Sequence, residues 1–280
     1  MSALPEIASD DESAAVLRDW LALHRRVFVL TGAGCSTASG IPDYRDRNGE
    51  WKRTPPITLQ ALTGSDAAYR RYWARSSIGW PRFLAARPNA AHRALAELEA
   101  RGTMHRLLTQ NVDGLHQRAG NREVIDLHGR LDGVVCLGCG ARSGREAIQA
   151  DIEAANADWI AGPAGTAPDG DADLDDDAVT GFRPPWCEQC GGQLKPDVVF
   201  FGENVPRQRV ADAQQALQAS DALLVVGSSL MVWSGLRFVR MAATAGLPIA
   251  ILNRGRTRAD ELATLRLDAE IATTLHGALQ

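Results

Sequence analysis

The chain has 280 residues, 45% of them hydrophobic and 23% charged, with a formal net charge of −4 at neutral pH. That length exceeds the usual single domain, so one large domain with a smaller satellite is expected, and the ordinary composition argues against disorder or coiled coil. A mildly acidic chain lacks the Lys and Arg excess that holds proteins to nucleic acid or anionic membrane, no apolar run approaches the roughly 18 residues of a membrane helix, and the acidic opening MSALPEIASDDESAAV is unlike a basic signal peptide, so a cytoplasmic protein bound to neither is expected.

In chain order, residues 12–24 place Val16, Leu17, Trp20, Leu21 and Leu23 largely on one helical face, and the apolar run Val27–Leu30 follows as a buried strand. It leads into the glycine loop Thr31–Gly40. A glycine loop between a strand and a helix start is a phosphate-binding arrangement, although a Gly-rich turn after a strand is also compatible with a plain turn. The dehydrogenase fingerprint GxGxxG needs Gly at 37, but Thr37 stands there and the third glycine arrives only at Gly40, which disfavours hydride transfer. The cluster Tyr69–Arg75 with Trp80 reads either as a nucleic-acid patch or as a helix with aromatics inward and Arg outward, and the acidic chain favours the second.

Further apolar runs at His105–Thr109, Asp197–Phe201, Ala222–Val226 and Leu247–Leu252 alternate with helix-period stretches at 90–100 and 207–219. Alternating strands and helices predict an α/β fold, a Rossmann-like parallel sheet with helices on both faces. Ligands of such sheets bind beyond the carboxyl ends of the strands. The residues there are small and polar: Gly32-Ala33-Gly34, Gln110-Asn111-Val112-Asp113, Gly202-Glu203-Asn204, Gly227-Ser228-Ser229 and Asn253-Arg254-Gly255. They predict one nucleotide crevice. Residues 161–185, rich in Gly, Pro and Asp, read as a solvated loop.

Cys136-x-x-Cys139 and Cys187-x-x-Cys190 supply four thiolates, the closed tetrahedral shell of a structural zinc, across 47 intervening residues. A saturated shell folds a module and leaves no open position for chemistry. His128, in Asp126-Leu-His-Gly129, reads as a satisfied structural histidine or, given the crevice, as a base suited to a ribose hydroxyl near neutral pH.

The segments Gly32–Arg45, Thr109–His116, Leu127–Gly129, the two CxxC pairs, Lys195–Glu203, Gly227–Ser229 and Asn253 together resemble the sirtuins in order and spacing over roughly residues 25–270. Pro42-Asp-Tyr-Arg45 and Arg71–Pro81 look most like the class II branch, which includes a mitochondrial lipoamidase. The resemblance implies an NAD-consuming protein-lysine deacylase with one structural zinc, acting as a monomer on acylated lysines of proteins. It implies an NAD-binding domain of residues 1–45, 85–130 and 195–280, a helical cofactor-loop segment at 46–84, and a zinc module at 131–194. Gly32, Ala33 and Gly34 would hold the pyrophosphate, with Asp43, Tyr44 and Arg45 on a flap. Gln110 and Asn111 would serve the nicotinamide ribose, with Asn111 catalytic alongside His128, while Val112 and Asp113 hold the carboxamide. Gly227, Ser228, Ser229, Asn253, Arg254, Gly255 and Ile271 would bind the adenosine half. Val199, Phe200, Phe201 and Gly202 would pair with substrate backbone.

In family chemistry the acyl oxygen attacks the ribose as nicotinamide leaves, and the histidine then deprotonates a ribose hydroxyl, ending in lysine and O-acyl-ADP-ribose. Tyr72 and Arg75 resemble the acyl-tail pair of desuccinylases, implying glutaryl or hydroxymethylglutaryl lysine, with lipoyl lysine as a rival. Two rival functions share these motifs: ADP-ribosyl transfer to protein from the same NAD site, and a zinc-ribbon binding module. Cys35 stands where relatives often carry Ile or Val, a departure that would make the loop sensitive to oxidation.

Overall fold

The computed structural model describes residues 9–52, 56–159, 165–166, 172–173 and 179–280. Most of the solvated loop expected at 161–185 and the first eight residues lie outside them. No helix among the described residues is long and apolar enough to cross a membrane.

Six strands form one parallel sheet: β1 (Val27–Thr31), β2 (Met104–Thr109), β3 (Val124–Asp126), β9 (Ala222–Val226), β10 (Ile249–Leu252) and β11 (Leu265–Leu267). Their spatial order is β11-β10-β9-β1-β2-β3, so connections wind outward in both directions from the β1/β9 junction. A crevice opens at such a reversal, because the loops leaving the two central strands turn to opposite faces. Every residue of β1, β9 and β10 is buried. The alternation of side chains then divides each strand between two cores. Val27 and Val29 pack with Leu17, Leu95 and Leu275 of α1 (Asp10–Ala22), α4 (Ala90–Ala100) and α9 (Ile271–Ala278), whereas Phe28 and Leu30 pack with Leu217 and Phe238 of α7 (Arg207–Gln218) and α8 (Trp233–Thr244). The first helix starts at Ser9, whose hydroxyl accepts from Glu12 N at 3.2 Å, with Asp10, Asp11 and Glu12 in the positive first turn.

A second lobe gathers α2 (Leu59–Thr63), α3 (Asp66–Ala85), α6 (Arg145–Ala155) and the antiparallel sheet β5-β4-β8, comprising β4 (Gly129–Cys136), β5 (Arg142–Gly144) and β8 (Leu194–Val198). A two-stranded ribbon, β6 (Gly165–Thr166) with β7 (Ala172–Asp173), completes the strands. The lobe's core joins Leu62, Tyr69, Tyr72 and Trp73 to Val134, Ile148, Ile152 and Phe200. Helix α3 turns its aromatics inward, in line with the packing reading of Tyr69–Arg75. It contains Pro81, which has no N–H for the carbonyl of Ser77; Gln149 Nε2 of α6 donates to that carbonyl at 3.0 Å instead. Arg145 is buried between the rings of Trp73 and Trp80, 5.3 and 5.1 Å from their centroids.

The run Asp197–Phe201 departs from its expected place. The strand there is β8, antiparallel to β4 in the small sheet, so residues 195–198 sit outside the parallel sheet and with the cysteine-bearing lobe. A short apolar run cannot distinguish parallel from antiparallel pairing. The ion pair of Lys195 with Glu203, at 2.9 Å, turns the chain after Phe200 and ends the strand early.

Candidate active site

The loops leaving β1 and β9 touch because they are built of glycine. A Cβ on Gly32 or Gly34 would lie 2.8 or 2.9 Å from the Gly227 carbonyl, closer than any side chain tolerates, while Gly34 N donates to that carbonyl at 2.9 Å. Backbone amides of residues 32–34 are thereby held at the mouth of the crevice. The cavity beyond them measures about 660 Å³, in the upper half of the roughly 300–1,000 Å³ of small-molecule sites.

Gly32, Ala33, Gly34, Asp43, Tyr44, Arg45, Gln110, Asn111, Val112, Asp113, His128, Gly227, Ser228, Ser229, Asn253 and Arg254 all line this cavity, as do Tyr72, Val199, Phe200, Phe201 and Gly202. Three residues named from the sequence do not. Arg75 is half-buried on α3 and is not among the residues that line the cavity, although Tyr72 one turn before it is. Gly255 backs the flap instead, where Arg256 N donates to Arg47 O at 2.9 Å. Ile271 is buried at the start of α9, behind Gly227.

His128 follows β3, and Gly129 after it has φ +79° with its α-carbon pressed on Asp197 O, so only glycine lets the chain turn from the parallel sheet into β4 there. The imidazole Nδ1 stands 2.9 Å from Gln110 O, which can only accept. Nδ1 therefore carries the proton, and Nε2 keeps a lone pair that accepts from Ser234 Oγ at 2.8 Å. Burial lowers the His128 pKa below its usual 6.5, and Arg209 and Arg237 add to this, so the ring is neutral at physiological pH. Beside it, Asn111 Nδ2 donates to Gly32 O at 3.0 Å and Ser36 Oγ at 3.1 Å, and Gln110 Nε2 donates to Ser228 Oγ at 2.7 Å. Burial raises the Asp113 pKa against the bond from Ser36 Oγ at 2.7 Å.

The flap folds over the opening. Arg45 lies 3.9 Å above the Trp51 ring and donates to Gly49 O at 2.7 Å, and Trp51 meets Tyr44 and Phe201 edge to face. Trp51, Ser234 and Arg237 also line the cavity and were not named from the sequence. Ser234 and Arg237 occupy one face of α8 a single turn apart, a relation visible only once the start of that helix is known.

The four cysteines meet in the small lobe with all sulfurs within 4.8 Å, Cys136 to Cys190 at 3.5 Å and Cys139 to Cys187 at 3.7 Å. Ligands of a tetrahedral zinc with Zn–S near 2.3 Å stand about 3.8 Å apart, so the set fits the ion and is too open for disulfides. Gly138 and Gly192 make room: a Cβ on either would lie 3.1–3.3 Å from Cys190 Sγ. The N–H groups of Cys139 and Gly138 draw the Cys136 thiol down to about 6, favouring the ligating thiolate. Cys35 behaves differently. It is buried, and burial with Asp113 nearby pushes its thiol far up, which works against the oxidation sensitivity expected from its place in the loop.

Comparison with known proteins agrees with this geometry. The pattern of the Sir2 family matches residues 32–234. An NAD-dependent protein deacetylase 2 of Bradyrhizobium diazoefficiens is 61% identical over 259 residues, covering 92% of this chain and 95% of that protein. An NAD-dependent protein deacetylase of Xanthomonas axonopodis pv. citri is 62% identical over 259 residues, 92% of this chain and 88% of its own. Among solved structures, a Sir2 enzyme studied for mechanism and regulation superposes with TM-score 0.77 at 30% identity over 96% of both chains, and a Sir2 complex with p53 peptide and NAD+ with TM-score 0.75 at 29% identity over 93% and 94%. With its motifs in family order around one cavity and relatives above 60% identity over nearly the whole length, the chain belongs to the Sir2 family.

Proposed function

We propose that this protein is an NAD-dependent protein-lysine deacylase of the class II branch. The observation that carries the reading is His128, neutral and locked in one tautomer, in the same cavity as Asn111 and the glycine loop. The close approach of Gly32 and Gly34 to Gly227 leaves no side chain between the backbone of this loop and the cavity, which gives a pyrophosphate room to lie against it and fits NAD to this edge of the sheet. NAD, when bound, supplies the ribose carbon that accepts the acyl oxygen as nicotinamide leaves. His128 Nε2 takes the proton of a ribose hydroxyl once that hydroxyl replaces Ser234 Oγ as its partner. Gln110 O holds the imidazole through Nδ1, Asn111 orders the sugar side, and the Arg45–Trp51 flap excludes water. The names of the bacterial relatives support deacylation over the rival functions.

The acyl group we assign is an acidic one, but received by Arg237 in place of Arg75. Arg237 lines the cavity one helical turn beyond Ser234, and its buried Nε has no hydrogen-bond partner among the described residues. A guanidinium so placed takes a carboxylate.

Incubation with NAD and acetyl, glutaryl and lipoyl peptides, read by mass spectrometry, tests both levels. O-acyl-ADP-ribose is expected, with His128→Ala slowing its formation by about 10²–10⁴. An unchanged rate in that variant removes the catalytic assignment. Arg237→Ala is expected to cut glutaryl relative to acetyl turnover by roughly tenfold or more, the worth of one charged hydrogen bond, with Arg75→Ala leaving the ratio alone. The same ratio in wild type and Arg237→Ala excludes the acidic acyl pocket.

A further inference from the structure

Next to the glycine loop, outside the catalytic arrangement, three metal-ligating side chains meet. Cys35 ends the tight turn at residues 33–35, His92 lies in the first turn of α4, and His116 lies in α5 (Leu115–Ala119). All three are at most 1% exposed, and one ligand atom from each lies within 4.8 Å of the others. The histidine rings are 4.8 Å apart.

The hydrogen bonds show which lone pairs are available. Thr31 Oγ1 gives its proton to Thr109 Oγ1 at 2.9 Å, so it accepts from His116 Nε2, also at 2.9 Å. The lone pair of His116 is then on Nδ1, which is buried and has no hydrogen-bond partner among the described residues. An orphaned acceptor of this kind is rare in native cores and asks for a ligand. His92 Nδ1 accepts from Asn89 N at 3.3 Å, the reciprocal half of the cap of α4, and Nε2 lies 3.4 Å from Ser36 Oγ, both long for hydrogen bonds. Burial lowers the pKa of both histidines, that of His92 to about 4, so both rings keep the neutral form that binds metals.

We propose that Cys35, His92 and His116 form a second metal site, distinct from the four-cysteine cluster, that takes zinc or a similarly thiophilic ion through one thiolate and two imidazoles. Neighbouring S and N ligands of a tetrahedral zinc stand about 3.5 Å apart. The side chains must therefore close by about 1 Å, a movement of rotamers. On binding, the Cys35 S–H bond breaks, sulfur forms a bond to the ion, and the proton leaves to solvent; the charge of the ion must outweigh the burial and the nearby Asp113 that keep the metal-free thiol protonated. The remaining positive charge faces the Asp113 carboxylate, tied to Ser36 Oγ beside His92 at 2.7 Å, in the place where metal sites keep a supporting carboxylate. Three protein ligands leave one position open, so the ion is exchangeable, unlike one enclosed by four cysteines. It would pin the glycine loop to α4 and α5. Because the same turn presents Ala33 and Gly34 to the cavity, occupancy couples to nucleotide binding.

The test is a cobalt titration of the full-length protein whose four-cysteine site is already loaded with zinc, followed by absorbance and by metal analysis after desalting. A second equivalent is expected, with a thiolate-to-cobalt charge-transfer band of one sulfur. Cys35→Val, an apolar replacement within the same buried apolar cluster, should abolish that equivalent and its band while keeping the first equivalent and the unfolding midpoint. Cys35→Ser, closest in size, should weaken the second equivalent at least tenfold and provides the same reading if the valine variant does not fold. A wild-type protein that stops at one equivalent overturns the proposal, and so does a second equivalent that survives in the Cys35 variants.

Discussion

His92, His116 and His128 are buried as neutral rings, two of them next to the cofactor loop and one in the cavity. Each has a lowered folded pKa, so the unfolded chain binds more protons in acid; the stability they hold is full above about 6.5 and is lost as pH falls through the folded value. For His92, folded near 4, going from pH 7.5 to 5 costs about 2 kcal/mol. Urea unfolding at both pH values should show wild type losing about that much more than His92→Gln, and equal losses would refute the neutral ring. The raised pKa values of Asp113 and Asp126 act in the opposite sense in both proteins and drop out of this comparison. For His128 the same lowering has a kinetic consequence. The acid limb of kcat/KM should fall below 6.5, and a limb above 7 would mean that another group is the base. His128 could be picked out in the sequence by its position after a strand, but its tautomer depends on Gln110 O and Ser234, 18 and 106 residues away.

Among the elements, α4 ties stability to the site most directly. Asn89 caps it, accepting from Ala91 N at 2.8 Å and His92 N at 3.3 Å, while its Nδ2 donates to Cys35 O at 2.9 Å and Ser39 Oγ at 3.0 Å. One side chain thus ends a helix and holds the glycine loop. Asn89→Ala is expected to cost about 1–2 kcal/mol in denaturant unfolding and also to raise the KM for NAD, whereas a plain cap loss would leave KM unchanged. The helix period of residues 90–100 is evident from sequence, yet nothing there shows that the cap also reaches the loop. Strands β3 and β11, three residues each, are not legible in the sequence because runs so short carry no usable period, and the sheet that β8 joins is not legible because pairing direction is a property of the partner strand.

For the molecule as a whole, the cavity has one wall from the parallel sheet and another from the small lobe, where Phe200 packs edge to face on Tyr72 at 5.5 Å. Both rings belong to the core that contains Cys136 and Cys187, so zinc should support the substrate side of the cavity without touching it. Cys187→Ala is expected to release the structural zinc, lower the melting transition of the small lobe, and raise the KM for acylated peptide more than that for NAD. Calorimetry with paired KM measurements checks this, and an unaltered peptide KM would disconnect the two. From the sequence came the α/β class, the four-cysteine cluster and the small polar residues that line the cavity at the strand ends, because these rest on local periodicity and on short motifs whose glycine, cysteine and polar residues each answer a local constraint; the flap and the substrate side came from the family resemblance. Only the tertiary structure decided which sheet Leu194–Val198 joins, that Arg237 and not Arg75 reaches the cavity, and that Cys35, His92 and His116 meet, because each depends on how segments far apart in the chain turn toward one another when they pack.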